Sequence, residues 1–437
     1  MTNMKGTVFE HSEYHKRQEE LFDKLPMDSI VILPNNVPSI RSNDTKYPYR
    51  ANSYLMYLSG WEEPHSTLVL TKISGHTNVA LFVKPRNTEL EIWEGRIVGV
   101  EGAQNGWPIK QAFPNTDFES VMKNTLKEIS NLYLFKGINV EMDVLVSDLW
   151  EGDILDPSPH VDKMRTIKST AEIEIMKSAA SIASQAHISA MAITKPNIGE
   201  WEIQASIENH FTLNRSVNSY NPIVGGGDNA TILHYNSNSV RIEDNELVLV
   251  DAGCEVSGYA SDITRTWPVN GKFTKSQREI YELVLEAQIS AIGACQSGST
   301  WDSMHRAASE VISRGLIDLG ILKCSKQEAL GMNLDGEFRK FFMHGTGHML
   351  GLDVHDVGGG RQGGKAGPVL LPGMIVTVEP GLYFASWRED IDIPKKYSGI
   401  GVRIEDDVLI TESGPIVLTD GCPKTIDEIE SIVGSAL

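Results

Sequence analysis

The chain has 437 residues, of which 41% are hydrophobic and 22% charged, with a formal net charge of -19. That length exceeds what one hydrophobic core usually serves, so two domains are expected. The acidic balance excludes a nucleic-acid surface, which needs a basic footprint; the surplus carboxylates read as a solvated shell, with room for a few to serve as cation ligands.

The opening "MTNMKGTVFEHSEYHKRQEE" is polar and lacks the apolar core of a secretory signal. No apolar run approaches the length that spans a bilayer, so no membrane partner is expected. Cys254, Cys295, Cys324 and Cys422 lie far apart and form no CxxC pair. That spacing argues against a disulfide framework or zinc knuckle and for a reducing, cytoplasmic location. Apolar, β-rich runs at 29–34 ("SIVILP"), 66–72 ("STLVLTK") and 78–84 ("NVALFVK") predict a first unit with its own sheet. The prolines in "EGDILDPSPHVDKMRTIKS" mark a boundary near 157–165, which divides the chain into domains over 1–165 and 166–437.

A long helix is predicted from the N-cap Ser169, because Glu172 three residues on completes a capping box. Its apolar stripe is Ile173, Met176, Ala180, Ala183 and Ala186, and Pro196 and Gly199 fall beyond its end. A second helix over 200–213 and strand-like segments follow. The same order recurs: a helix from Thr274 (box partner Gln277) to about Gln296, another near 301–319, then the strands "MIVTVEP" and "GVRIEDDVLI". Two helix–helix–strand halves suggest an internal duplication.

Between the halves "GGGDNA", Gly225 to Ala230, fits a dinucleotide fingerprint with Asp251 as its distant acid. No helix pattern opens at these glycines, so a bend with close backbone approach is the better reading. "NELVLVDAGCEVSGYASDITRTWPV" predicts a hairpin with strands at 246–253 and 259–268. A turn centred between Val256 and Ser257 would set Asp251 opposite Asp262. Opposed like charges destabilise a sheet and burial sharpens the cost, so a cation between them is expected, against the alternative of one Asp capping the turn in solvent.

"FFMHGTGHMLGLDVHDVGGG" then brings His344, His348 and His355 within twelve positions. It lacks the Glu of the H-E-x-x-H zinc helix, and its two central glycines disfavour a helix. Glu379 closes an apolar strand before Pro380, and period two puts Arg403 and Glu405 on one strand face with Val402 and Ile404 on the other. Alone, each Glu reads as an ordinary strand-end charge.

Together, "ILHY", "DAG", "DITRT", "HGTGHMLGLDVHDVG", "TVEPGLY" and "GVRIEDD", in that order, resemble the pita-bread metallopeptidases, in particular aminopeptidase P. "YRANSYLMYLSGWEEPHSTLVL" and "EIWEGRIVG" resemble that family's creatinase-like N-terminal domain. The resemblance implies an α+β fold: a C-terminal pita-bread domain of two pseudo-duplicated halves behind a creatinase-like α/β domain. It assigns five metal ligands, Asp251, Asp262, His348, Glu379 and Glu405; substrate-side histidines His234, His344 and His355; and Arg403 beside the last ligand. His344 and His355 also admit a structural reading, bonded to a backbone carbonyl.

Four carboxylates and one neutral imidazole balance two divalent cations, and this hard, oxygen-rich set suits Mn²⁺. Two such ions about 3.5–4 Å apart can share a hydroxide that attacks the first peptide bond. Glu379 then shuttles the proton to the leaving proline nitrogen, His355 and His234 hydrogen-bond the tetrahedral intermediate or the substrate backbone, and Arg403 orients Glu405 and nearby carboxylates. The implied activity is a metal-dependent aminopeptidase that removes the residue preceding a proline at position two. Prolidase, which cleaves Xaa-Pro dipeptides, shares the ligand set. Methionine aminopeptidase lacks the extra domain, and creatinase or a non-catalytic pita-bread binding module would be expected to have lost ligands. "ASWREDIDIPKKYSG" reads as an acidic surface loop near the cleft mouth, and the family implies a homo-oligomer, dimer or tetramer, formed through the N-terminal domain.

Overall fold

The computed structural model describes residues 6–359 and 367–436; the first five residues of the polar N-terminus and Gly360, the last of the histidine-rich stretch, lie outside the described residues. The chain divides into two compact units, Met1–Arg165 and Thr166–Leu437.

The first unit is built on a six-stranded mixed sheet. Its central strand Ser29–Pro34 is buried at every position because it pairs on both edges, antiparallel to Thr67–Ile73 and parallel to Asn131–Leu134. His76–Val83 extends the sheet beside Thr67–Ile73. Near the end of this unit the boundary stretch carries a helix, Ser158–Thr166. Pro159 sits in its first turn, where the missing N–H has no helical partner to lose.

In the second unit the helix Thr170–Ile193 starts at the Ser169 capping box, and Met176, Ala180, Ala183 and Ala186 are buried while Ile173 is half-buried. Glu200–Leu213 packs against it. Lys275–Ala294, with Thr274 and Gln277 forming the second capping box, pairs with Trp301–Asp318. Each helix pair accompanies a three-stranded antiparallel sheet: Ile223–Gly226, Leu247–Asp251 and Thr264–Pro268 in the first half, and Ile375–Val378, Asp406–Leu409 and Ile416–Val417 in the second. The two halves reach each other where the Glu405 N–H donates to the Thr264 carbonyl at 3.1 Å and Thr266 Oγ1 donates to the Arg403 carbonyl at 3.1 Å. Among the described residues no helix is long and apolar enough to cross a membrane.

The hairpin register differs from the sequence expectation. Val256 pairs with Tyr259 and Asp251 with Thr264, so the turn is centred between Ser257 and Gly258, whose φ values are 51° and 89°. A two-residue hairpin turn needs both central residues left-handed, and Ser-Gly supplies that one position later than expected. Asp262 therefore lies two residues from the partner of Asp251, a diagonal neighbour on the same face, not a directly opposed one.

The "GGGDNA" stretch ends the strand Ile223–Gly226 and continues as a short 3₁₀ turn, Gly227–Thr231. A Cβ on Gly225 would lie 2.9 Å from the Ala230 nitrogen, so the glycine permits the close backbone approach expected of a bend. The segment 385–399, whose three acidic and three basic residues balance, is not wholly a surface loop. Tyr397 is fully buried and its hydroxyl donates to Glu279 at 2.7 Å.

Candidate active site

A cavity of about 330 Å³ in the second unit is lined by Asp251, Asp262, His348, Glu379 and Glu405, and by His234, His344, His355 and Arg403. Every site residue singled out in the sequence thus faces one space. The two halves contribute differently. Asp251 ends the strand Leu247–Asp251, and Asp262 follows the turn across from it. Glu379 and Glu405 stand opposite each other, because Val378 pairs with Asp406 and Gly381 with Arg403 on either side.

His348 arrives on an irregular segment laid along the strand Ile375–Val378. The Thr377 N–H donates to the His348 carbonyl at 2.9 Å, the His348 N–H to Thr377 Oγ1 at 3.0 Å, and the Glu379 N–H to the Thr346 carbonyl at 2.8 Å. A Cβ on Gly347 would fall 1.9 Å from the Thr377 carbonyl oxygen. Glycine there is a requirement of this close approach, not a helix feature.

The imidazole of His348 is oriented for ligation. Its Nδ1 lies 3.0 Å from the Met349 carbonyl and so carries the proton, leaving Nε2 facing Asp262 at 3.4 Å and Glu379 at 3.8 Å. One donor atom each from Asp262, His348 and Glu405 lie within 4.8 Å of one another. Burial pushes Asp251 and Glu405 above their ordinary range and Glu379 up to about 7, and neighbouring carboxylates add to each shift. Burial opposes a charge on His348, but Asp262 and Glu379 draw it up to about 9. An array that raises its own proton affinity in this way is one that fits cations.

Tyr220, which carries no signal in the sequence, bridges the first pair: its hydroxyl is 2.5 Å from both Asp251 Oδ1 and Asp262 Oδ1. Arg403 grips a carboxylate near Glu405 directly. Its guanidinium donates to Asp251 at 2.6 Å, to Tyr383 at 3.0 Å and to Thr264 Oγ1 at 3.0 Å. It reaches Glu405 only through Thr264, whose hydroxyl donates to Glu405 at 2.6 Å. The strand-face argument could not see a partner from the other half. Beneath the site the fully buried Arg265 donates to the Glu405 carbonyl at 2.5 Å and to Asp406 at 2.8 Å.

Both nitrogens of His344 are engaged, Nδ1 with the Gly345 carbonyl at 2.7 Å and Nε2 with the Tyr383 hydroxyl at 2.8 Å. Burial and the nearby Arg403 lower its pKa to about 3, so it is neutral. His355 is exposed at the cavity, its ring packed edge-on to His348 with centroids 4.4 Å apart. Ile223, Leu233 and Val354 supply apolar wall.

Residues 174–412 match the model of metallopeptidase family M24, and residues 14–133 match the aminopeptidase P N-terminal domain. The chain is 43% identical to a Xaa-Pro aminopeptidase of Haemophilus influenzae, over 96% of this chain and 97% of that one. It is 38% identical to the Xaa-Pro aminopeptidase of Escherichia coli, over 97% and 98%. The solved aminopeptidase PepP of Pseudomonas aeruginosa superposes with a TM-score of 0.93 at 38% identity, covering 98% and 99%. A zinc-substituted Escherichia coli aminopeptidase P in complex with product gives the same TM-score at 37% identity. The fold built from paired helix–helix–strand halves behind a separate α/β unit, the ordered motifs and these full-length likenesses agree: the chain is a metallopeptidase of family M24, in its aminopeptidase P group.

Proposed function

We propose that this metallopeptidase removes the N-terminal residue from peptides with proline at position two, using two divalent cations, Mn²⁺ by preference. The observation that carries the reading is the convergence of Asp251, Asp262, His348, Glu379 and Glu405 on one cavity, in a chain similar throughout its length to Xaa-Pro aminopeptidases. Those five side chains would hold the ions. When bound, the pair supplies a nucleophile by lowering the pKa of a shared water, and polarises the scissile carbonyl.

The chain's own residues do the rest. Glu379, with a proton affinity near neutrality in the absence of metal, is suited to accept the nucleophile's proton and deliver it to the departing proline nitrogen. That nitrogen bears no hydrogen in the substrate, so the delivery is required for expulsion. His355 and His234 line the open side and are suited to donate to the carbonyl oxygen as negative charge develops. His344, committed through both nitrogens, acts as a substrate-side wall with Tyr383. Arg403 holds Asp251.

The reading extends to a cytoplasmic homo-oligomer, dimer or tetramer. Four unbridged cysteines support the reducing compartment, and Trp93 (86% exposed) and Ile92 (77%) give the N-terminal unit an apolar face suited to a partner copy.

The deciding experiment compares a Xaa-Pro-Yaa tripeptide, its Xaa-Ala-Yaa counterpart and a Xaa-Pro dipeptide, each with and without Mn²⁺. Mn²⁺-dependent cleavage of the proline tripeptide alone is expected. Cleavage of the dipeptide in its place would make the chain a prolidase, and no cleavage or metal uptake would leave a binding module.

A further inference from the structure

The segment 345–347 is a thin partition. The active-site cavity lies on one side, and on the other is a second cavity of about 550 Å³, lined in part by Trp301, Asp302, His305 and Arg339; Gly345 and Gly347 border both. Two glycines have no side chains to pack into either space, so hydrogen bonds must fix the partition. Arg339, on the far side, donates to the carbonyls of Met343 at 2.7 Å and His344 at 2.9 Å. Thr346, buried at 2% exposure, is the central anchor: its hydroxyl lies 2.8 Å from His305 Nδ1, and its carbonyl accepts the Glu379 N–H at 2.8 Å. His305 itself comes from the helix Trp301–Asp318, outside the active-site cavity, with its ring 5.6 Å from that of Phe342.

We propose that His305 is a positioning residue for the metallopeptidase site, acting through the Thr346 hydroxyl to hold His348 and Glu379 at their mutual distance. This rests on the metal-binding reading above. Thr346 lies two residues from His348 and bonds directly to the backbone of Glu379, so one hydrogen bond from the helix governs the placement of two of the five donors. At Gly345 and Gly347 the partition presents only backbone to the two cavities. Orienting partners one step beyond metal ligands commonly matter 10- to 100-fold for affinity or activity.

The test uses the full chain carrying Thr346→Val, His305→Leu, both together, or Thr346→Ser. Each is stripped with a chelator and titrated with MnCl₂ alone by calorimetry, with kcat and KM measured in parallel on a Xaa-Pro-Yaa peptide. Each single loss should weaken Mn²⁺ binding by about 10- to 100-fold and lower kcat more than it raises KM. The double variant should be no worse than either single, and Thr346→Ser, which keeps the hydroxyl, should bind as wild type does. Single variants with wild-type Mn²⁺ affinity, or losses that multiply in the double, overturn the role of His305. If His305→Leu does not fold, Thr346→Val, nearly isosteric with the parent, decides alone. A wild-type protein that takes up no Mn²⁺ overturns the metallopeptidase reading itself, a separate result.

Discussion

Arg403 reaches across the two halves of the second unit to grip Asp251, its Nη2 2.6 Å from Oδ2, while its other nitrogens hold Tyr383 and Thr264. Three partners in fixed directions require a planar fork, which a lysine cannot reproduce. Arg403→Lys keeps the charge and should still lower kcat/KM on a proline tripeptide by about 10- to 100-fold. Wild-type kinetics would mean that charge alone, and not the fork, matters there.

Tyr220 makes a different prediction, because one phenolic proton serves two carboxylates. Tyr220→Phe removes a hydrogen bond to a charged group, a change of about 1–3 kcal/mol. The loss should be visible in the metal-free protein and should shrink with saturating Mn²⁺, which would take over the same charges. Thermal melts of wild type and variant, with chelator and with Mn²⁺, measure both gaps; equal gaps would contradict the shared role.

His187 gives stability a pH dependence of definite sign. It is fully buried on the helix Thr170–Ile193, with Nε2 3.0 Å from the Ala252 carbonyl and Nδ1 without a hydrogen-bond partner among the described residues. Burial lowers its pKa to about 4, against about 6.5 in the unfolded chain. Above pH 6.5 neither state holds the extra proton and nothing is lost. As pH falls from 6.5 towards 4 the unfolded state binds the proton first, so stability drops, by about 2 kcal/mol at pH 5 and about 3 kcal/mol in the limit. His187→Gln cannot titrate. Its urea-unfolding free energy should therefore lose less than that of wild type between pH 7 and pH 5, and parallel profiles would exclude the effect.

Features governed by three or four consecutive residues were legible in the sequence. The capping boxes at Ser169 and Thr274 lie where the side-chain spacing put them, because a helix start is a local bargain between one hydroxyl and one amide. The hairpin was recognisable as a hairpin, but its register depended on which residue pair turns left-handed, and Ser257–Gly258 gave a weaker cue than Asn-Gly would. The opposition of Glu379 and Glu405 is set by a register that bridges a long intervening segment, and no local period encodes it. Tyr220, Thr264 and His305 gave no cue at all, since each acts through a partner far away in sequence. The likeness to a family, not the periodicity, gathered the scattered carboxylates into one set.

The hydrogen bonds from Glu405 to Thr264 and from Thr266 to Arg403 bring Asp251 and Asp262 from one half to Glu379 and Glu405 from the other, and neither half alone has a full complement of donors. A cation seated among them would act as a rivet, tightening only when both leaves of the duplicated architecture are closed. Ion occupancy and structural integrity are then one thermodynamic quantity seen from two sides, and starving the protein of metal would slacken the joint as well as silence the chemistry.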